Sequence, residues 1–262
     1  MKGRLTMRRP LLIVDSGSGG FTVLDAIRER LPGLSYSYAA DYAGCPYGER
    51  SPEEIMRRTM ALVNAAQARR QHGMIVIACN TASTQILPQL RDVYSIPVVG
   101  VVPAIKPACE RYPMGTLLLL ATPQTVQGDY LDDLVARFSQ GVRLDRYGST
   151  DLVRLAEASL HVAPTLKDVA RVLSSVPAKS YDAVILGCTH FPLLKVPLKL
   201  FFGDAELIDS AQGIASRVFT LDEDRLSFNA ENAFYVTQRS GPPSSFFVRY
   251  ALPDPDLVEL NL

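Results

Sequence analysis

Two cysteines stand where a thiol could do chemistry. Cys79 ends the apolar run Met74-Ile-Val-Ile-Ala78 and opens Asn80-Thr81-Ala82-Ser83. Cys188 follows Ala183-Val-Ile-Leu186 and Gly187, and opens Thr189-His190-Phe191-Pro192. A thiol between a strand and a helix lies at the positive end of the helix dipole, which favours the thiolate and lowers its pKa from about 8.5. Asn80, Thr81 and Ser83 add hydrogen-bonding groups, and a helix start leaves backbone N–H groups open to a carboxylate. Taken alone, Cys79 reads equally well as a buried structural cysteine. Cys188 shifts that balance, because His190 lies two residues on, within reach as a proton partner.

Two further segments carry polar groups. Asp15-Ser16-Gly17-Ser18-Gly19-Gly20 follows the first apolar run. It lacks the Lys-Ser/Thr ending of a phosphate loop and the G-x-G-x-x-G spacing of a dinucleotide site. A tight loop presenting Asp15 and Ser16, with glycines allowing close backbone approach, is the better reading. Cys45-Pro46-Tyr47-Gly48 has the composition of a turn. Its N–H groups could hold a carboxylate, although by sequence alone a plain loop is the better reading. The three histidines (72, 161, 190) and four cysteines (45, 79, 109, 188) show no C-x-x-C pair and no zinc-type spacing, so no metal site is expected. Cys45 and Cys109 read as structural, and all four as reduced thiols.

The elements that must position these groups alternate between short apolar runs and helical patterns, an α/β signature. Strands are predicted at 11–14, 36–40, 74–78, 97–101, 116–120 and 183–186. Helices are predicted from Phe21 to Leu31, from Ser51-Pro52-Glu53-Glu54 to a stop at Gly73, and over 84–93, 127–138, 151–160 and 166–173. Ser51 is the cap of the second, with proline at its first position. From 221 the pattern weakens, and Gly241-Pro-Pro-Ser-Ser reads as a turn. Leu-Leu-Ile-Val-Asp15-Ser16 resembles Leu-Leu-Leu-Leu-Ala121-Thr122, and the segment ending at Cys79 resembles the one ending at Cys188, at nearly equal offsets. A duplicated α/β unit follows. Its two halves could present equivalent side chains to opposite sides of one cleft, beyond the carboxyl ends of parallel strands.

Composition excludes other classes. Of 262 residues, 47% are hydrophobic and 21% charged, a globular balance. Lys+Arg and Asp+Glu are 27 each, so no net field draws nucleic acid or an anionic membrane. No apolar run nears the roughly 20 residues of a membrane span. The basic start, with Lys2, Arg4, Arg8 and Arg9, meets an apolar run that ends at Asp15, too short for a signal sequence. A basic tail and a cytoplasmic protein are expected.

These motifs resemble the glutamate racemase family, within the wider aspartate/glutamate racemase group. The segments that carry the resemblance are Asp15-Ser16-Gly17 with Gly19-Gly20, Pro46-Tyr47-Gly48, Ala78-Cys79-Asn80-Thr81-Ala82-Ser83, Gly187-Cys188-Thr189-His190-Phe191-Pro192-Leu193-Leu194 and Ile208-Asp209-Ser210-Ala211. The resemblance implies two pseudo-symmetric, doubly wound α/β domains with the site between them, one from 1–99 plus 211–262 and the other from 100–210. It implies an enzyme working without a cofactor on a small amino acid, supplying D-glutamate for peptidoglycan, and it allows a homodimer. It assigns Cys79 and Cys188 to opposite faces of the substrate α-carbon, Asp15 to assist Cys79, and His190 to assist Cys188. Glu157, in Leu152-Val153-Arg154-Leu155-Ala156-Glu157, matches an acidic helper of the second cysteine. Ser16, Pro46, Tyr47, Gly48, Asn80, Thr81, Thr125 and Thr189 would hold the substrate. Departures from the family pattern are Ser18, the lack of a cysteine in Gly148-Ser149-Thr150-Asp151, and Ala121-Thr122-Pro123-Gln124-Thr125, which retains Thr125. His190 and Ser83 favour the glutamate branch. An aspartate or broader racemase and a non-catalytic ligand-binding homologue are the competing readings.

Overall fold

In the computed structural model, residues 7–239, 241–260 and 262 are described. Lys2 and Arg4 of the basic start lie outside them. The chain runs β1 (Leu11–Asp15), α1 (Phe21–Arg30), β2 (Tyr36–Ala40), α2 (Pro52–Arg69), β3 (Met74–Ile77), α3 (Asn80–Val93), β4 (Val98–Gly100) and α4 (Ile105–Arg111). It continues with β5 (Thr116–Ala121), α5 (Pro123–Val126), α6 (Asp129–Phe138), β6 (Arg143–Gly148), α7 (Asp151–Ala158), α8 (Leu166–Val172), β7 (Ala183–Leu186), α9 (Lys195–Phe202) and β8 (Glu206–Ile208). It ends with α10 (Ala211–Asp222), β9 (Ala233–Val236), α11 (Ser244–Arg249) and β10 (Asp256–Leu257).

The strands form two sheets, ordered β10-β9-β2-β1-β3-β4 and β6-β5-β7-β8, and every pairing is parallel. Within the first, β2-β1-β3-β4 repeats the order β6-β5-β7-β8 of the second, strand for strand. This is the duplication anticipated from the sequence. The central strands are buried along their whole length, as parallel strands covered on both faces must be, so they read as unbroken apolar runs. In the first sheet α1 and α10 cover one face, with Phe21, Leu24, Ile27, Ile214 and Val218 in that core. α2 and α3 cover the other, with Ile55, Leu62, Ile86 and Leu90. Each such side chain, fully buried, contributes about 1.5–3 kcal/mol.

Local signals explain the element starts. The Ser51 hydroxyl accepts from Glu54 N at 3.3 Å, with Pro52 at the first helical position, so α2 begins as predicted. Gly128 caps α6, so that helix begins two residues later than expected. Three expectations need correction. Ser244 begins α11, so the predicted turn at 241–245 covers only that helix's approach. β6 and β8 are strands where none was predicted. The weak region from 221 on contributes β9 and β10 to the first sheet. Among the described residues no helix is long and apolar enough to cross a membrane.

Candidate active site

The carboxyl ends of both sheets bring the polar segments together. β1 delivers Asp15 and Ser16, β3 delivers Cys79 and Asn80, β5 delivers Thr122 and Thr125, and β7 delivers Cys188, Thr189 and His190.

On the first side, Cys79 is buried, with its Sγ 3.7 Å from Ser16 Oγ. It stands at the start of α3, as predicted, but the expected lowering of its pKa is overturned. Burial pushes the thiol up to about 12, and the nearby Asp15 and Cys188 add to the rise. Asp15 is also buried. Its carboxylate accepts from Ser16 N at 2.7 Å and from Gly20 N, with Tyr38 Oη 3.4 Å away. Those contacts face its oxygens, its charge is felt at Cys79, and Ser16 is the group alongside the sulfur. Burial raises the Asp15 pKa.

On the second side, Cys188 Sγ lies 3.8 Å from His190 Nδ1, and His190 Nε2 donates to Glu157 Oε1 at 2.7 Å. Gly19 N lies 3.3 Å from the same ring nitrogen, which cannot accept from it while donating to Glu157. Ser18 N donates to Glu157 Oε1 at 2.6 Å. Burial opposes charge on both partners, yet the hydrogen bonds win. His190, also bonded to Cys188 and Cys45, is held well above the usual imidazole range, and Glu157 below the usual carboxylate range. Each partner favours the charged form of the other. The glycine loop makes this seating feasible. A Cβ at Gly19 would lie 2.7 Å from His190 N and collide with the ring, and one at Gly17 would collide with Glu157. Its glycines thus admit side chains of the other half, rather than a phosphate.

The remaining predicted residues divide by what their atoms touch. Asn80 Nδ2 and Thr189 Oγ1 are buried without a partner, although buried polar groups are normally paired. Thr81 Oγ1 lies 2.9 Å from Thr122 Oγ1, which lies 3.0 Å from Thr125 Oγ1. This hydroxyl chain joins the two halves. Pro123 and Gln124 leave it intact: Pro123 begins α5, and Gln124 Nε2 donates to Arg50 O at 3.1 Å. Pro46 precedes a single 3-10 turn, Tyr47–Glu49, whose first N–H groups have no partner within the turn. The Tyr47 hydroxyl is spent on Asp41 Oδ2 at 2.8 Å, and Asp41 forms a buried ion pair with Arg58. Tyr47 therefore offers a site its backbone, alongside Gly48, where a Cβ would crowd Thr122 at 2.8 Å.

Three participants escape a reading by motif. Thr122 was visible only as the counterpart of Ser16 in the duplication and as a departure, not as a group of the site. Ser18 works through its backbone N–H. Cys45, read as structural, lies with Glu157 and His190, their donor atoms all within 4.8 Å of one another. Zinc-type spacing could not reveal that group, because its members come from distant segments.

Paired parallel sheets whose matching strand ends each carry a thiol define a class: a pseudo-symmetric α/β protein with one thiol at the equivalent strand end of each half. Residues 19–218 match the family model described as Asp/Glu/Hydantoin racemase. The chain is 43% identical to the glutamate racemase of Shewanella loihica over 88% of each chain. It is 46% identical to that of Klebsiella pneumoniae over 97% of this chain and 93% of the relative. A crystal structure of Escherichia coli glutamate racemase in complex with L-glutamate and the activator UDP-MurNAc-Ala superposes with a TM-score of 0.88 at 39% identity, covering 96% of this chain and 99% of that one. The chain belongs to the Asp/Glu/Hydantoin racemase family.

Proposed function

We propose that this chain interconverts L- and D-glutamate by two-base proton transfer at the α-carbon, with Cys79 and Cys188 on opposite faces. The observation that carries the reading is the equivalence of the two thiols, each two residues past the end of its strand, β3 or β7, at matching places in the two sheets. The glutamate racemases at 43% and 46% identity support the substrate.

Racemisation takes a proton from one face and returns a different one to the other. One thiolate and one thiol do this in either direction without turning the intermediate. The α-proton is far less acidic than a thiol, so the site must stabilise the carbanion as it forms, by hydrogen bonds to the α-carboxylate and exclusion of water. Asn80 Nδ2 and Thr189 Oγ1, buried and unpaired, are suited to that task, with the N–H groups of Tyr47 and Gly48 and the hydroxyls of Ser16, Thr81 and Thr125. Positioned proton transfer contributes about 10²–10⁴-fold. The Cys79 thiol, held at about 12, becomes a base when the substrate ammonium brings positive charge beside it. Asp15 tunes it by charge, and the His190–Glu157 pair serves Cys188. The domains of this reading divide at 99/100 and 210/211, supported by the packing of α10 in the first sheet's core. The reading places the enzyme in the cytoplasm, supplying D-glutamate for peptidoglycan.

The test is incubation with L- and D-glutamate and with both aspartates in deuterated water, following α-proton loss by NMR. Both glutamates are expected to exchange and invert. Cys79→Ala and Cys188→Ala should each lose inversion, while each exchanges the α-proton of one enantiomer only. Normal inversion by either variant would sink the two-thiol mechanism.

A further inference from the structure

Beyond the racemase reading, we propose that Cys45, Glu157 and His190 form a binding site for a thiophilic divalent cation, zinc being the type ion, and that its occupation disables the Cys188 side. One thiolate, one carboxylate and one imidazole are a zinc donor set, softer than magnesium or calcium would select. Their donor atoms all lie within 4.8 Å of one another. Zinc–ligand bonds of about 2.0–2.3 Å in a tetrahedron place neighbouring donors roughly 3.3–3.8 Å apart, so shifts of about 1 Å complete the site. The donors also gather beside one backbone position: a Cβ on Gly17 would stand 3.0 Å from His190 Nε2 and 3.1 Å from Cys45 Sγ, and would overlap Glu157 Oε1. Glycine at 17 keeps a side chain from wedging among them.

The cluster is reachable. Tyr42, Cys45, Pro46, Val153, Glu157 and His161 line one concavity at the surface, and the buried His190 adjoins two of them, Cys45 and Glu157. A fourth coordination position would face this opening. The second part of the proposal rests on the role given to His190 above. A cation on Nε2 displaces the hydrogen bond to Glu157 and leaves the imidazole only Nδ1, 3.8 Å from Cys188 Sγ, to carry a proton. The ring is then held by the cation and no longer by Glu157, and Cys188 loses its positioned partner.

Cobalt(II) is the probe, because a thiolate bound to it gives a charge-transfer band. Titration into the full chain should show one ion per chain with that band, displaced by zinc. The band should persist in Cys79→Ser and Cys188→Ser and vanish in Cys45→Ser, with zinc binding at least about tenfold weaker there and in Glu157→Gln. Zinc should inhibit wild-type racemisation, reversibly with a chelator. Cys45→Ser, compared with its own zinc-free rate, should need at least about tenfold more. A band retained in Cys45→Ser, or lost with either strand-end cysteine, overturns the site. Binding at Cys45 that leaves the rate unchanged overturns the switch and the part given to His190, while the site stands.

Discussion

At Cys79 two local effects compete, and their sizes decide the outcome. A helix N-terminus contributes up to about 2 kcal/mol toward an anion. Full burial shifts a pKa by up to about 3–5 units at 1.36 kcal/mol each. Burial wins, and the thiol rises to about 12. Sequence reading finds the helix start but not the depth at which it lies. Thr189 shows the converse. Its hydroxyl is buried and unpaired, a cost of about 1–3 kcal/mol. Thr189→Val should therefore raise unfolding stability by about 1 kcal/mol in urea denaturation, while raising KM for glutamate. A variant that loses stability would show that the hydroxyl is already satisfied. The cysteines, His190 and Asp15 were legible because each adjoins a strand end. Cys45 and Thr122 were not, because their partners lie far away in sequence and only the fold brings them together.

At the scale of elements, the glycine loop after β1 is a seat for groups from β7 and α7. Gly19→Ala places a methyl against His190. Overpacking of this kind costs about 1–3 kcal/mol, so the urea midpoint should fall and kcat should fall with it. Unchanged values would mean that the loop gives way freely. Most central strands, and the apolar edge strand β4, were legible as apolar runs, whereas the edge strands β6, β8 and β10 were not. β6, Arg143–Gly148, carries Arg143, Asp145 and Arg146 and has no fully buried residue, and β8 is three half-buried residues long. An edge strand is specified by the neighbour that pairs with it more than by its own composition. α10 has a readable apolar stripe, Ile214, Ala215 and Val218, but its place against α1 is a tertiary fact.

Over the whole molecule, the histidines give stability an opposed pH dependence. Burial, aided by Arg70, holds His72 down at about 3, between Ser37 Oγ and Gln67 Oε1. A depressed histidine contributes stability above the unfolded value of about 6.5, lost as pH falls toward 3. His190 is raised, so its contribution is complete below about 6.5 and lost as pH climbs through its folded value. Each changes stability by at most about 1.4 kcal/mol per pH unit. Wild type minus His72→Gln, measured by urea unfolding between about pH 4 and 7, should therefore rise with pH; a flat difference would place the His72 ring in solvent. The repeated strand order has a last consequence, one of handedness. A rotation can bring one half of the chain onto the other, but no rotation makes a mirror image of a chain of L-residues. The surroundings of the two thiols are accordingly related but never reflections: Ser16 and Asp15 on one side, His190 and Glu157 on the other. Two enantiomers of equal free energy must then be bound and turned over unequally. Thermodynamics requires only that kcat and KM differ between them by the same factor.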